Sequence, residues 1–140
     1  MSEQIRFFVE GIPRPQGSKI TGVTKAGTRF MREANRETKP WRLWVAEAAR
    51  RAFEGRPRIE TPCQVHVTCY FPIPKKPKFK RPTSCGDSDK LFRAIADALS
   101  KDAGIMSNDN LIYWQSCTKS WCFDGQRPGA WISVMFGGAQ

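Results

Sequence analysis

Histidine occurs once in this chain, and the five cysteines at 63, 69, 85, 117 and 122 include no C-x-x-C pair. A zinc site of Cys63, His66 and Cys69 fails on parity: in an alternating segment, 63 and 69 point to one face and 66 to the other. Reduced, mostly buried thiols are then the expectation, and His66 has no partner at a catalytic spacing. No stretch approaches the ~18 apolar residues of a membrane span, and the N-terminus carries no apolar signal region. Both absences predict a cytoplasmic protein without membrane contact. No internal repeat is present, and 140 residues suit a single domain over 1–140. An apolar share of 40% with five Trp excludes a disordered tail.

Acid is scarce too: 13 Asp plus Glu against 23 Lys plus Arg, a formal net charge of +10. So basic a chain points to a polyanion as partner. The distribution of sign says more than the total. All seven Glu lie within 1–60 and all six Asp within 87–124. Residues 75–81 (KKPKFKR) hold five bases and no acid, whereas 87–109 hold five Asp against three bases. The latter segment is net −2 and the rest of the chain +12. A protein built only to hold phosphates gains little from an acidic island.

Alternation of apolar and polar residues predicts strands near 5–10, 64–71, 111–119 and 130–136. Residues 11–37 read as a loop, with a hairpin turning at Ala26-Gly27 as an option; Arg14, Lys19, Lys25, Arg29, Arg32 and Arg36 make it a phosphate-contacting surface. Thr38 is read as the cap of a helix that Pro40 opens and Gly55 ends, with Trp41, Trp44, Val45, Ala48, Ala52 and Phe53 on its apolar side. Residues 72–84 (PIPKKPKFKRPTS) form an extended basic loop carrying one aromatic, Phe79, which suits a nucleic-acid backbone and an opened base step. Residues 88–101 form a second helix that buries Leu91, Ala94, Ile95, Ala98 and Leu99. The fold class is α+β: a mixed sheet with two main helices packed against it.

Asp87 and Asp89 flank the start of that second helix, where unpaired N–H groups and the dipole favour anions. Asp89, Arg93 and Asp97 follow at i, i+4, i+8, read as one row on the side away from the deepest core. Asp109 sits in the turn after the helix and can fold back if strand 111–119 lies beside strand 64–71. Each aspartate also has a plain role open to it, as cap, ion-pair partner or turn residue. Converging, the three need a hard cation, Mg²⁺ or Mn²⁺.

The segment GDSDKLFRAIADALSKDAGIMSNDNLI (86–112) resembles the central motif of the RusA-type Holliday-junction resolvases. That pattern is Asp-x-Asp-Asn, a Lys four residues after the second Asp, an Asp-Ala-Leu helix and an Asp-Asp pair before a strand. FFVEGIPRPQGSK and Trp41-Arg42 are similar to phage-type members. The resemblance implies an Mg²⁺-dependent endonuclease, a homodimer cutting four-way DNA junctions by paired symmetric nicks. It makes Asp87, Asp89 and Asp109 the metal carboxylates and puts Arg93 at the active-site Lys position, with Asp97 supporting. On this reading Lys75, Lys76, Lys78, Lys80 and Arg81 grip DNA, with Phe79 a wedge at the branch point; Lys90, Lys19 and Arg14 add phosphate contacts. Lys90, Arg93 and Asn108 depart from the pattern, where the family has Asn, Lys and Asp. These departures permit a second expectation, a branched-DNA-binding protein of the same fold with weakened catalysis.

Overall fold

The computed structural model describes residues 2–17, 19–23, 29–33 and 37–137, with side chains for 3–17 and 37–137. Strands β1 (Ser2–Glu10), β4 (Cys63–Phe71), β5 (Ile112–Trp121) and β6 (Gly129–Gly137) form one sheet in the order β1-β6-β4-β5. β6 runs antiparallel to both β1 and β4, while β5 is parallel to β4. The sheet is therefore mixed, as expected for the fold class. β2 (Lys19–Val23) and β3 (Arg29–Glu33) pair as a separate antiparallel hairpin, so the 11–37 segment is more than a loop. The turn expected at Ala26-Gly27 lies outside the described residues.

A parallel pair needs a long crossover. Between β4 and β5 that crossover is the basic loop, helix α2 (Ser88–Asp97), a π-helical turn over Ala98–Asp102 and a 3₁₀ turn over Asp109–Leu111. The first helix, α1 (Thr38–Ala52), precedes β4. Its side chains Trp41, Val45 and Ala49 join Leu91 and Ile95 of α2 and Leu99 of the π-helical turn in one core with the inward set Ile5, Phe7, Val65, Val67, Ile132 and Val134. Both helices thus cover the same sheet face. No helix among the described residues is long and apolar enough to cross a membrane.

Three local expectations are corrected. Glu37, not Thr38, occupies the N-cap position of α1, and the Thr38 hydroxyl instead donates to the Pro15 carbonyl at 2.7 Å. Trp44 is 52% exposed whereas Trp41 is 1% exposed. The buried series Trp41, Val45, Ala49 and Phe53 drifts about 40° one way per step, and Trp44 falls about 60° on the other side of Trp41. Its ring lies against Gly11, where a Cβ would meet it at 3.1 Å. Asp97 is buried rather than on an outer row. The same drift turns it about 80° from Asp89 and into the core.

Cys63 and Cys69 are buried, as their parity requires, whereas Cys85, Cys117 and Cys122 are only partly buried, so the thiols are not mostly buried as expected; no disulfide forms among the described residues. Burial pushes the Cys63 thiol up to about 11. Cys69 donates to Cys117, which holds Cys69 well above the ordinary thiol range and lowers Cys117. Mild iodoacetamide at neutral pH should therefore modify Cys117 ahead of Cys63 and Cys69, read by peptide mass spectrometry of the native protein. Labelling of Cys63 or Cys69 first would contradict the assignment.

Candidate active site

Gly86 opens the acidic segment with φ +115°, and Pro15 packs so closely on it that a Cβ there would lie 3.0 Å from the proline ring. A side chain would be strained on both counts. The Gln16 amide donates to the Lys90 carbonyl at 2.9 Å, which ties the segment 11–17 to the first turn of α2. Lys119 of β5 donates from Nζ to the Gly86 carbonyl at 2.9 Å. Asp87 then occupies the N-cap position of α2 in extended conformation, but its side chain makes no capping hydrogen bond. Asp89 follows in the first helical turn. Both carboxylates are exposed at the positive end of the helix, without hydrogen bonds or ion pairs to other described residues. The simplest structural role, an N-cap bond, is not what Asp87 does.

Asp109 arrives from the other side of the crossover. Leu99 accepts from the Ile105 amide, and Ile59 exchanges bonds with Ile105 and Ser107, so the chain is seated before it turns. The Asn108 side chain accepts from the Asn110 amide at 2.9 Å and opens the 3₁₀ turn. Asp109 there accepts a 2.6 Å bond from Nη1 of Arg93. The same nitrogen lies 4.0 Å from Asp97, whose Oδ1 is buried without a hydrogen bond from any described residue and also faces Lys101 at 3.8 Å. Folding of β5 beside β4 has thus brought Asp109 to α2, and Arg93 is the cation that neutralises it.

Among the described residues, no three His, Cys, Asp or Glu side chains stand close enough together to hold a metal ion. The structure brings together Arg93, Asp97 and Asp109, and separately Lys119 and the Gly86 carbonyl, one residue before Asp87; it shows no contact that joins Asp87 or Asp89 to Asp109 among the described residues. The donor chemistry still suits a hard cation, since among the described residues the Asp87 and Asp89 carboxylates have no partner and Asp109 is bonded to Arg93 through Oδ2.

The family model for endodeoxyribonuclease RusA matches residues 13–135. The chain belongs to that family. It is an endodeoxyribonuclease, of the Holliday-junction resolvase kind that the RusA family comprises. No curated relative matches the chain. The match spans β2 through most of β6, so it takes in every candidate carboxylate and the whole basic loop.

Of the remaining candidates, Lys75, Lys76, Lys78, Phe79, Lys80 and Arg81 are all exposed on the loop between β4 and α2. Lys90 is exposed on the first turn of α2. Arg14 pairs with Glu37 at 2.8 Å, so its charge is already engaged. The side chain of Lys19 lies outside the described residues. His66 bonds Ser116 and Gln64 on the outer sheet face and takes no part in the acidic segment.

Lys119 escaped the sequence reading. A signal was available: in β5 it shares parity with Cys117 and Trp121 and pairs with buried Cys69, which places a charged residue on the inward side of a strand. Such a residue needs a built partner, and the Gly86 carbonyl beside Asp87 is that partner.

Proposed function

We propose that this RusA-family endodeoxyribonuclease resolves four-way DNA junctions by paired symmetric nicks in an Mg²⁺-dependent reaction. What supports the reading best is the family match together with two uncapped carboxylates at one helix N-terminus and a third delivered to the same helix by the parallel strand. Asp87, Asp89 and Asp109 would hold the cation, and Mn²⁺ would substitute. Mg²⁺ bound there would polarise the scissile phosphate and lower the pKa of a bound water.

The chain's own residues do the rest. Arg93 holds Asp109 and stabilises negative charge that develops on the phosphoryl oxygens; its guanidinium does not release a proton, so it acts as a charge and not as an acid. Lys119 fixes the Gly86 carbonyl and with it the approach of the chain to Asp87. The cations at 75–81 grip the DNA arms, Phe79 enters the branch point, and Lys90 adds a phosphate contact at α2. A homodimer matches the two-fold symmetry of the junction, since two equivalent sites make two equivalent cuts. We place the protein in the cytoplasm of a bacterium or of a phage-infected host.

A labelled synthetic four-way junction incubated with and without Mg²⁺ tests the reading. Nicks near the branch point with Mg²⁺ and none in EDTA are expected; cutting that is equal in EDTA would remove the metal from the account. Lys119→Met should lower the cutting rate about 10- to 100-fold, the usual effect of losing a group that supports a metal ligand. Junction affinity should change little, and Lys119→Arg should restore part of the rate. Parallel loss of rate and thermal stability, unrestored by arginine, would make Lys119 merely structural.

A further inference from the structure

A cavity of about 650 Å³ opens between the basic loop and the start of the β5–β6 connection, away from the acidic segment. Trp121 forms its floor, nearly buried, with the indole N–H fixed on the Phe79 carbonyl at 3.0 Å. Phe79 and Phe123 line it from the two connections and are half exposed, 53% and 49%. Among the described residues, Lys78, Lys80 and Arg81 supply every charge on its lining, and all three are positive. The loop is held in place as well: Arg81 donates to the Lys119 carbonyl at 3.4 Å, and the Lys78 ammonium sits 5.6 Å from the centre of the Phe79 ring.

We propose that this cavity accepts one unstacked nucleobase of the DNA, with the surrounding cations on its phosphates. A flat, apolar ligand bearing negative charge at its edge is what aromatic walls rimmed only by cations select. An apolar protein segment would use the walls but bring no anion to the three cations. Continuity with the acidic segment favours DNA further. Lys119 accepts with its carbonyl from Arg81, which lines the cavity, and donates with its side chain to Gly86, so one residue links the cavity wall to the start of the acidic segment. A strand cut near Asp87 and Asp89 would therefore pass the cavity a short way along its length. The inference rests on the DNA-cutting reading above and adds Phe123 and Trp121 to the DNA-contacting residues.

The test is a two-by-two comparison of affinities, measured in EDTA so that no cutting intervenes. Wild type and Phe123→Ala are each bound to a four-way junction and to the same junction with abasic sites at the branch-point nucleotides. Phe123→Ala should bind the intact junction about tenfold more weakly, the usual worth of one base on one aromatic ring. It should differ from wild type by less than about twofold on the abasic junction, and Phe123→Trp should bind as wild type does. An equal loss on both junctions, or none on either, overturns the proposal. The same comparison on a single-stranded oligonucleotide separates the two failures. A base-dependent effect of Phe123 there keeps the cavity even where wild type does not favour the junction over linear duplex, which would defeat the junction reading alone.

Discussion

Asp89→Asn should lower junction cutting by more than about 100-fold while junction affinity stays the same or rises. Loss of even an outer partner of a metal ligand costs about 10- to 100-fold, and a ligating carboxylate should cost more. Affinity moves the other way because the substitution removes one negative charge from a surface that must approach phosphates. The side chain is exposed and makes no described bond, so folding should be unaffected. The measurement is the cutting rate together with a gel-shift titration of the same junction. A variant that cuts normally would take Asp89 out of the site. A variant that loses cutting and binding in proportion would make Asp89 a binding residue.

Trp41→Ala should destabilise the protein by about 3–5 kcal/mol, the range for deleting a large buried aromatic. Trp44→Ala should cost less than about 1 kcal/mol, because half of that ring is already in water. Three positions apart on one helix, the two tryptophans give a direct contrast by denaturant or thermal unfolding. Trp41 also has an indole N–H with no hydrogen-bond partner among the described residues. Trp41→Phe discards that unpaired donor along with part of the ring and should cost only about 1–2 kcal/mol. Equal losses at 41 and 44 would mean that the orientation of α1 is wrong.

Trp44 marks where sequence reasoning reached its limit. Four sheet strands, two helices and the buried stripe Leu91, Ala94, Ile95, Ala98 and Leu99 were legible because alternation and helical periodicity are local properties of the chain. Which edge of an apolar stripe faces inward is not local. It depends on what packs opposite, and Gly11 took the Trp44 ring onto the surface. Asp97 went astray for a related reason, since an i, i+4, i+8 row on a 3.6-residue helix is not straight. The β2–β3 hairpin was only half visible, its basic residues carrying no clear alternation.

Within the candidate site, sign and spacing single out the aspartates as a group, and the return of Asp109 toward α2 hung on strand 111–119 lying beside strand 64–71, which it does, in parallel. Two features were out of reach. The Arg93–Asp109 bond depends on the reach of a long side chain across 16 residues, and Lys119 acts on a carbonyl 33 residues away. No spacing rule joins such pairs. The parity of β5 flagged Lys119 as unusual without naming its partner.

On the function proposed above, two equivalent sites cut one junction together. A supercoiled plasmid with an extruded cruciform tests it most directly, because paired nicks across the branch release linear DNA within one encounter. With Mg²⁺ the account predicts linear product from the earliest time points and none in EDTA. Nicked circles accumulating without linear product would contradict paired resolution. Stable binding to the cruciform with no cutting in Mg²⁺ or Mn²⁺ would contradict the enzyme itself.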